Sequence, residues 1–308
     1  MTRQEFLKAL EKLNVWKRGG RRAPHKPLLL LLALGRISEG QERLVRYAEL
    51  ETDLRRLLKR FGPPHGMNQP EFPFWHLQSD GLWEIPRGES LPKKKGGSSV
   101  PAPVLRKLDV RGGLPAGADT LLRGDRELIE AAVVALLNGH FPYSFHTPIR
   151  DAVGLLEPMA LEPPSSYGSA RVRKRDPRFR RAVLTAYERR CAICDFDVRL
   201  NDDLLGLDAA HIKWHAAGGP DRVPNGLALC KLHHHALDRG AIGLHPSESR
   251  GFNLLVSREI SGTSEAFRQL VDAKGRPLRE PQDYSQTPDP AFVDWHRHEV
   301  FRGEPRTP

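Results

Sequence analysis

The sequence predicts an α+β protein in two parts. The first is a helical N-terminal domain with a small antiparallel hairpin; the second is a C-terminal domain of short strands and a helix stapled by zinc. Three observations carry this. Apolar residues recur at helical spacing from Phe6 to Leu137, aromatic residues alternate around a turn between Phe74 and Ile85, and two short Cys/His pairs lie within the C-terminal half. A chain of 308 residues is long for a single core. We read a first domain over residues 1–157, a linker over 158–175 that is rich in Pro, Ser and Gly, and a second domain over 176–308.

Thr2 and Glu5 form a capping box, and Phe6, Leu7, Leu10 and Leu13 then share one helical face. A basic glycine loop ending in Arg21 and Arg22 leads to Pro24, His25, Lys26 and Pro27, and Pro27 suits the first turn of a buried helix from Leu28 to Ile37. A third helix spans Tyr47 to Phe61 and stops at Gly62. Phe74 to Ile85 reads as a hairpin turning at Asp80-Gly81. Arg126 to Asn138 reads as a helix ended by Gly139. Asp176 and Pro177 start a helix with Phe179, Val183, Leu184 and Tyr187 inward and Arg178, Arg180 and Arg181 outward. A last helix runs from Asp289 to Phe301, and there is no internal repeat.

Lysine and arginine exceed aspartate and glutamate by 48 to 38, a net charge of +10, which favours a polyanionic partner. The longest apolar run, Leu28 to Leu34, is far short of the roughly 20 residues a bilayer needs. Charges at Arg3, Glu5 and Lys8 interrupt any signal-peptide core. No membrane partner and a cytoplasmic location are expected, and three cysteines are no disulfide framework.

Cys191 and Cys194, and Cys230 and His233, are pairs with two intervening residues each. Two such turns supply the four ligands of tetrahedral Zn2+ and leave no open position for water, so the zinc is structural. The alternative is two unrelated pairs; the matched spacing and the use of every cysteine favour the metal.

Among these pairs lie Asp208-Ala209-Ala210-His211, then Gly218-Gly219-Pro220-Asp221, then Asn225, then His233-His234-His235 and Asp238. This arrangement resembles the HNH nuclease family. The resemblance implies a ββα-metal module with His211, Asn225 and His234 as its catalytic residues. Imidazole titrates near neutrality, so His211 suits a general base, while His234 would bind a catalytic Mg2+ or Mn2+ and Asn225 would bridge backbone to orient His211. Many members carry Asp immediately before the first His; here that place is Ala210, and Asp208 is the nearest carboxylate for the second metal ligand.

The N-terminal half resembles the sulfur-binding domain of McrA-type restriction endonucleases. The residues that carry the resemblance are Pro24 to Leu30, Phe72 to Trp83 and Phe141-Pro142 with His146 and Ile149. It implies double-stranded DNA carrying phosphorothioate as partner. Sulfur keeps the phosphate charge but is larger and a poorer acceptor than oxygen, so a reader pairs an apolar cup with cations. Phe141, Pro142 and Phe145 would supply the walls; Arg22, His25 and Lys26, near the N-terminus of the helix that Pro27 opens, would hold the phosphate.

The function expected is therefore a modification-dependent restriction endonuclease. Alternatives are an HNH nuclease reading another DNA mark or none, and a zinc-braced DNA-binding protein that does not cut. One HNH centre per chain means that double-strand cleavage takes a homodimer or two sequential events.

Overall fold

Thr2 caps the first helix, α1 (Arg3–Glu11), by accepting from the Glu5 amide while the Glu5 side chain accepts from the Thr2 amide. The computed structural model describes residues 1–15, 23–64, 69–93, 99–155, 177–248 and 250–306. The chain divides into two units, Met1–Arg173 and Lys174–Pro308. Arg22, Asp176 and the expected linker over 158–175 lie outside the described residues.

The first unit is built around α2 (His25–Ser38), in which every residue from Pro27 to Gly35 is buried. A helix apolar on all sides has to be covered on all sides. Strand β1 (Val45–Arg46) leads into α3 (Tyr47–Phe61), then α4 (Glu71–His76), α5 (Ala102–Lys107), β2 (Arg111–Gly112), α6 (Ala116–Arg123), α7 (Arg126–His140) and α8 (His146–Ala152). Helices α3, α4, α6 and α7 pack on α2, and α1 packs on α7. The one antiparallel pair among these described elements is β1–β2.

The structure departs from the sequence expectation in two places. Phe74–Ile85 is no hairpin: the segment is α4, a 3₁₀ turn over Leu77–Asp80, a left-handed Gly81 and a lone bridge from Glu84 to Gly113. Phe74, Trp75, Leu77 and Trp83 are buried all the same, and Phe74 meets Tyr47 and Trp83 edge-on. Over so few residues, aromatic alternation fits a strand and a helical turn equally, and Pro73 early in α4 favours the helix. Gly139 does not end α7, which continues to His140; the stop is the extended Phe141, a conformation its following proline imposes.

In the second unit α9 (Pro177–Ala186) leads to a small pair, β3 (Arg199–Leu200) and β4 (Asp203–Leu204), then to β5 (Leu207–His211), β6 (Gly226–Cys230) and α10 (Lys231–Asp238). Strands β5 and β6 pair antiparallel from Leu207↔Cys230 to His211↔Gly226. Both α9 and α10 pack on them, so two strands followed by a helix are observed directly. A second hairpin, β7 (Ile242–Pro246) with β8 (Phe252–Val256), precedes α11 (Glu265–Asp272) and α12 (Pro290–Glu299), which docks on β7. The core joins Phe179, Val183 and Tyr187 of the α9 segment to Leu227, Leu229, Leu237 and Ile242. Arg178, Arg180 and Arg181 face out, as their helical phase dictates.

Candidate active site

The four zinc-type ligands come from two tight turns. The Asp195 amide donates to the Cys191 carbonyl, closing the first, and the Ala192 amide donates to Ala228 of β6, fixing that turn on the sheet. Cys230 ends β6 and is at once the N-cap of α10, which sets His233 in the helix's first turn. The ligand atoms of Cys191, Cys194, Cys230 and His233 all lie within 4.8 Å of one another. His233 Nδ1 is 3.2 Å from Cys230 Sγ and 3.5 Å from Cys191 Sγ, and the Cys194 and Cys230 sulfurs are 4.0 Å apart. A tetrahedron with bonds of about 2.0–2.3 Å has edges of roughly 3.3–3.8 Å, so the set fits a metal such as Zn2+. Hydrogen bonds from Cys194 and Cys230 hold the Cys191 thiol far below its ordinary range. Burial pulls His233 down, but its bonds to Cys191 and Cys230 outweigh this and push it up to about 9.

His211 ends β5 and is buried. Its ring stacks on Phe179 at 4.2 Å between centroids and 20° between planes. Nε2 lies 2.7 Å from Asp221 Oδ1, whose other oxygen is 3.9 Å from His215 Nε2. Asn225 is fully buried. Its Oδ1 accepts from the Lys213 amide at 2.8 Å, and its Nδ2 donates to the Lys213 and Pro220 carbonyls at 3.0 Å each. This bridges both sides of the loop that follows His211. His234 sits on α10 with Nε2 3.6 Å from Asp238 Oδ2 one turn later.

Asp208 on β5 is paired with Arg180 at 3.0 Å and Lys231 at 3.3 Å. Burial raises its carboxyl, but the Ala209 amide and then Lys231 and His234 lower it further, leaving it below the usual range. Asp221 and Asp238 are the carboxylates against the two histidines, and sequence reasoning gave neither a role. The i, i+4 spacing of His234 and Asp238 was the available signal for the second; ten residues of loop hid the first.

In the first unit, His25, Lys26 and Pro27 form the first turn of α2. Lys26 Nζ is 2.5 Å from Asp80 Oδ2 and 2.8 Å from the Asn14 carbonyl. Phe141 and Phe145 are each 2% exposed, and Pro142 is buried between them, whereas Tyr143 is 74% exposed. Phe145 turns edge-on to Phe61 in the core. The outward aromatic is thus Tyr143, its ring 5.3 Å from that of His146.

Residues 3–158 match the family described as ScoMcrA-like, DNA sulfur-binding domain. The chain belongs to that family. Residues 191–245 match the HNH endonuclease family, so this ScoMcrA-like protein carries its sulfur-binding domain ahead of a nuclease domain, the make-up of McrA-type restriction enzymes. Among solved structures, the sulfur-binding domain of ScoMcrA complexed with phosphorothioated DNA is 24% identical over 49% of this chain and 95% of that one, with a TM-score of 0.44. The corresponding domain of SprMcrA is 23% identical over 50% and 95%, with a TM-score of 0.43. The type IV phosphorothioation-dependent restriction endonuclease ScoMcrA is 23% identical with a TM-score of 0.43, over 49% of this chain but only 28% of that one. No curated protein matches.

Proposed function

We propose that this protein binds phosphorothioate-modified double-stranded DNA and hydrolyses phosphodiester bonds near the modified site. The observation that carries the reading is one chain in which a sulfur-binding domain over residues 3–158 is followed by His211, Asn225 and His234 around a β5–β6–α10 unit.

In the nuclease domain His211 takes a proton from the attacking water. Phe179 holds the imidazole flat, and Asn225 ties down the loop after it, so little reorganisation is needed during reaction. His234 with Asp238, and Asp208 beyond its ion pairs, are the groups that would hold a divalent Mg2+ or Mn2+. That ion supplies positive charge against the scissile phosphate and the leaving oxygen. Cys191, Cys194, Cys230 and His233 hold Zn2+ as a structural brace. With one nuclease centre per chain, cutting both strands takes a dimer or two events.

In the reading domain the first turn of α2 offers His25 to the phosphate, while Lys26, held by Asp80 and the Asn14 carbonyl, fixes that turn. The apolar side is built from Pro142 and the exposed Tyr143, over a floor of Phe141 and Phe145. Oxygen in such a place loses its water without replacement, and sulfur loses less.

The experiment is a comparison of two plasmids identical in sequence, with and without phosphorothioate, incubated with purified protein and Mg2+ or Mn2+. Cutting of the modified plasmid alone is expected. Equal cutting of both would remove the sulfur reading, and no cutting of either would remove the nuclease reading.

A further inference from the structure

The imidazole of His211 is held on one face and at one edge. Phe179 reaches its face because residue 226, opposite His211 in the ladder, is glycine: a Cβ there would lie 2.5 Å from Val183 and 3.0 Å from Phe179. Asp221 reaches its edge, 2.7 Å from Nε2. The loop that delivers Asp221 is braced without its side chain. Asn225 ties the neighbouring Pro220 carbonyl, and Gly219 passes so close to Lys213 that a Cβ would fall 1.8 Å from that carbonyl oxygen. On that braced loop the Asp221 carboxylate is aimed at the imidazole. Of the titratable groups near it, His215 approaches its second oxygen at 3.9 Å, while Arg180 on α9 is turned to Asp208.

Resting on the reading of His211 as the general base, we propose that Asp221 is a positioning residue of the nuclease: it fixes the proton of neutral His211 on Nε2 and leaves Nδ1 as the nitrogen that accepts the proton of water. An ionised carboxylate only accepts hydrogen bonds, so its neutral imidazole partner must carry the hydrogen on the bonded nitrogen. The other tautomer would place a proton on the atom that has to take one. In the step itself the water O–H bond breaks and Nδ1–H forms. The hydroxide oxygen bonds to phosphorus as the bond to the leaving sugar oxygen breaks, and solvent protonates that oxygen. The imidazolium so formed lies against Asp221, which stabilises it where the charge develops.

The test uses full-length wild type, Asp221→Asn and Asp221→Glu, read by plasmid cleavage in Mn2+ across pH and by 15N NMR of the imidazole. Asp221→Asn is expected to keep its zinc and slow cleavage by roughly 10²-fold, with the Mn2+ requirement unchanged. The acid limb of the rate profile should move to lower pH, because removing the anion weakens proton binding at His211. Asp221→Glu should recover part of the rate. By NMR, His211 should be a single Nε2-protonated tautomer in wild type and a mixture in Asp221→Asn. An unchanged tautomer, or a rate within about twofold of wild type, overturns the proposal. So does a raised Mn2+ requirement, which would make Asp221 a metal ligand. The NMR arm does not depend on cutting, so an inactive wild type would count against the nuclease reading and still leave the tautomer decided. If Asp221→Asn does not fold, Asp221→Ser, which likewise removes the anion, is read for tautomer and rate in the same way.

Discussion

Lys26 and Asp80 form a nearly closed ion pair, Nζ to Oδ2 2.5 Å, with side chains 14% and 6% exposed. The second Asp80 oxygen accepts from the Asn14 amide at 2.8 Å, so one carboxylate joins the segment after α1, the start of α2 and the Gly81 turn. Removing one partner of such a pair strands the other. Lys26→Ala should cost the reading domain about 3 kcal/mol, and adding Asp80→Asn should restore much of it. Denaturant unfolding of the single and double variants measures this. Equal stability of Lys26→Ala and wild type would mean the pair contributes nothing. DNA-binding losses in Lys26→Ala are therefore to be read beside the double variant.

Cys194→Ala should release the zinc and leave the second unit unfolded or insoluble, because bound metal and folding share one free energy. Metal analysis and proteolysis check it; a soluble, zinc-free, active variant would refute the assignment.

His211→Ala should abolish cleavage and leave binding of phosphorothioate DNA intact, and His234→Ala should do the same. A gel-shift beside a cleavage assay separates the outcomes. Parental cleavage by His211→Ala would remove the general base.

Tyr143→Ala tests the apolar side of the reader at a position where stability is least at risk, since the ring is exposed. Loss of that contact should reduce the preference for sulfur by on the order of 1–2 kcal/mol, roughly five- to thirtyfold. Titrating one duplex with and without sulfur at two salt concentrations reads it, with salt-dependent affinity for the unmodified duplex largely kept. Full retention of the preference would put the wall elsewhere.

Acid should loosen the first unit through Glu51. Its hydrogen bonds from Arg106, and secondarily from Arg55, outweigh burial and hold the carboxyl below the ordinary glutamate range. A depressed carboxyl contributes its stability above its unfolded value of about 4.3 and loses it as pH falls through the lower folded value. Thermal unfolding from pH 6 to 3 should therefore fall more steeply in wild type than in Glu51→Gln. Parallel curves would contradict the role.

What the sequence made legible was local. Thr2 with Glu5, the apolar spacing of α2 and α3, and the paired turns at Cys191 and Cys230 each lie within a few residues, where period and spacing decide. The segment around Phe74 failed because its aromatics suit either period and only packing against Tyr47 chooses. Lys26 and Asp80 are 54 residues apart, and no pattern in one chain announces such a pair. The same holds for Asp221. Phe145 reads as a wall in sequence, yet contact with Phe61 turns it inward.

Cys230 closes a strand, caps a helix and belongs to the Cys/His cluster, and His234 follows it by four positions. With zinc in that cluster, as proposed above, cutting competence would be tied to metal supply, whereas the α2-centred unit has its own core and none of these ligands. Chelated or thiol-oxidised protein should then keep its grip on marked DNA while losing its blade. In a mixed population such molecules would shield the very sites that intact copies attack, so zinc shortage would turn a restriction enzyme into a guard of its target.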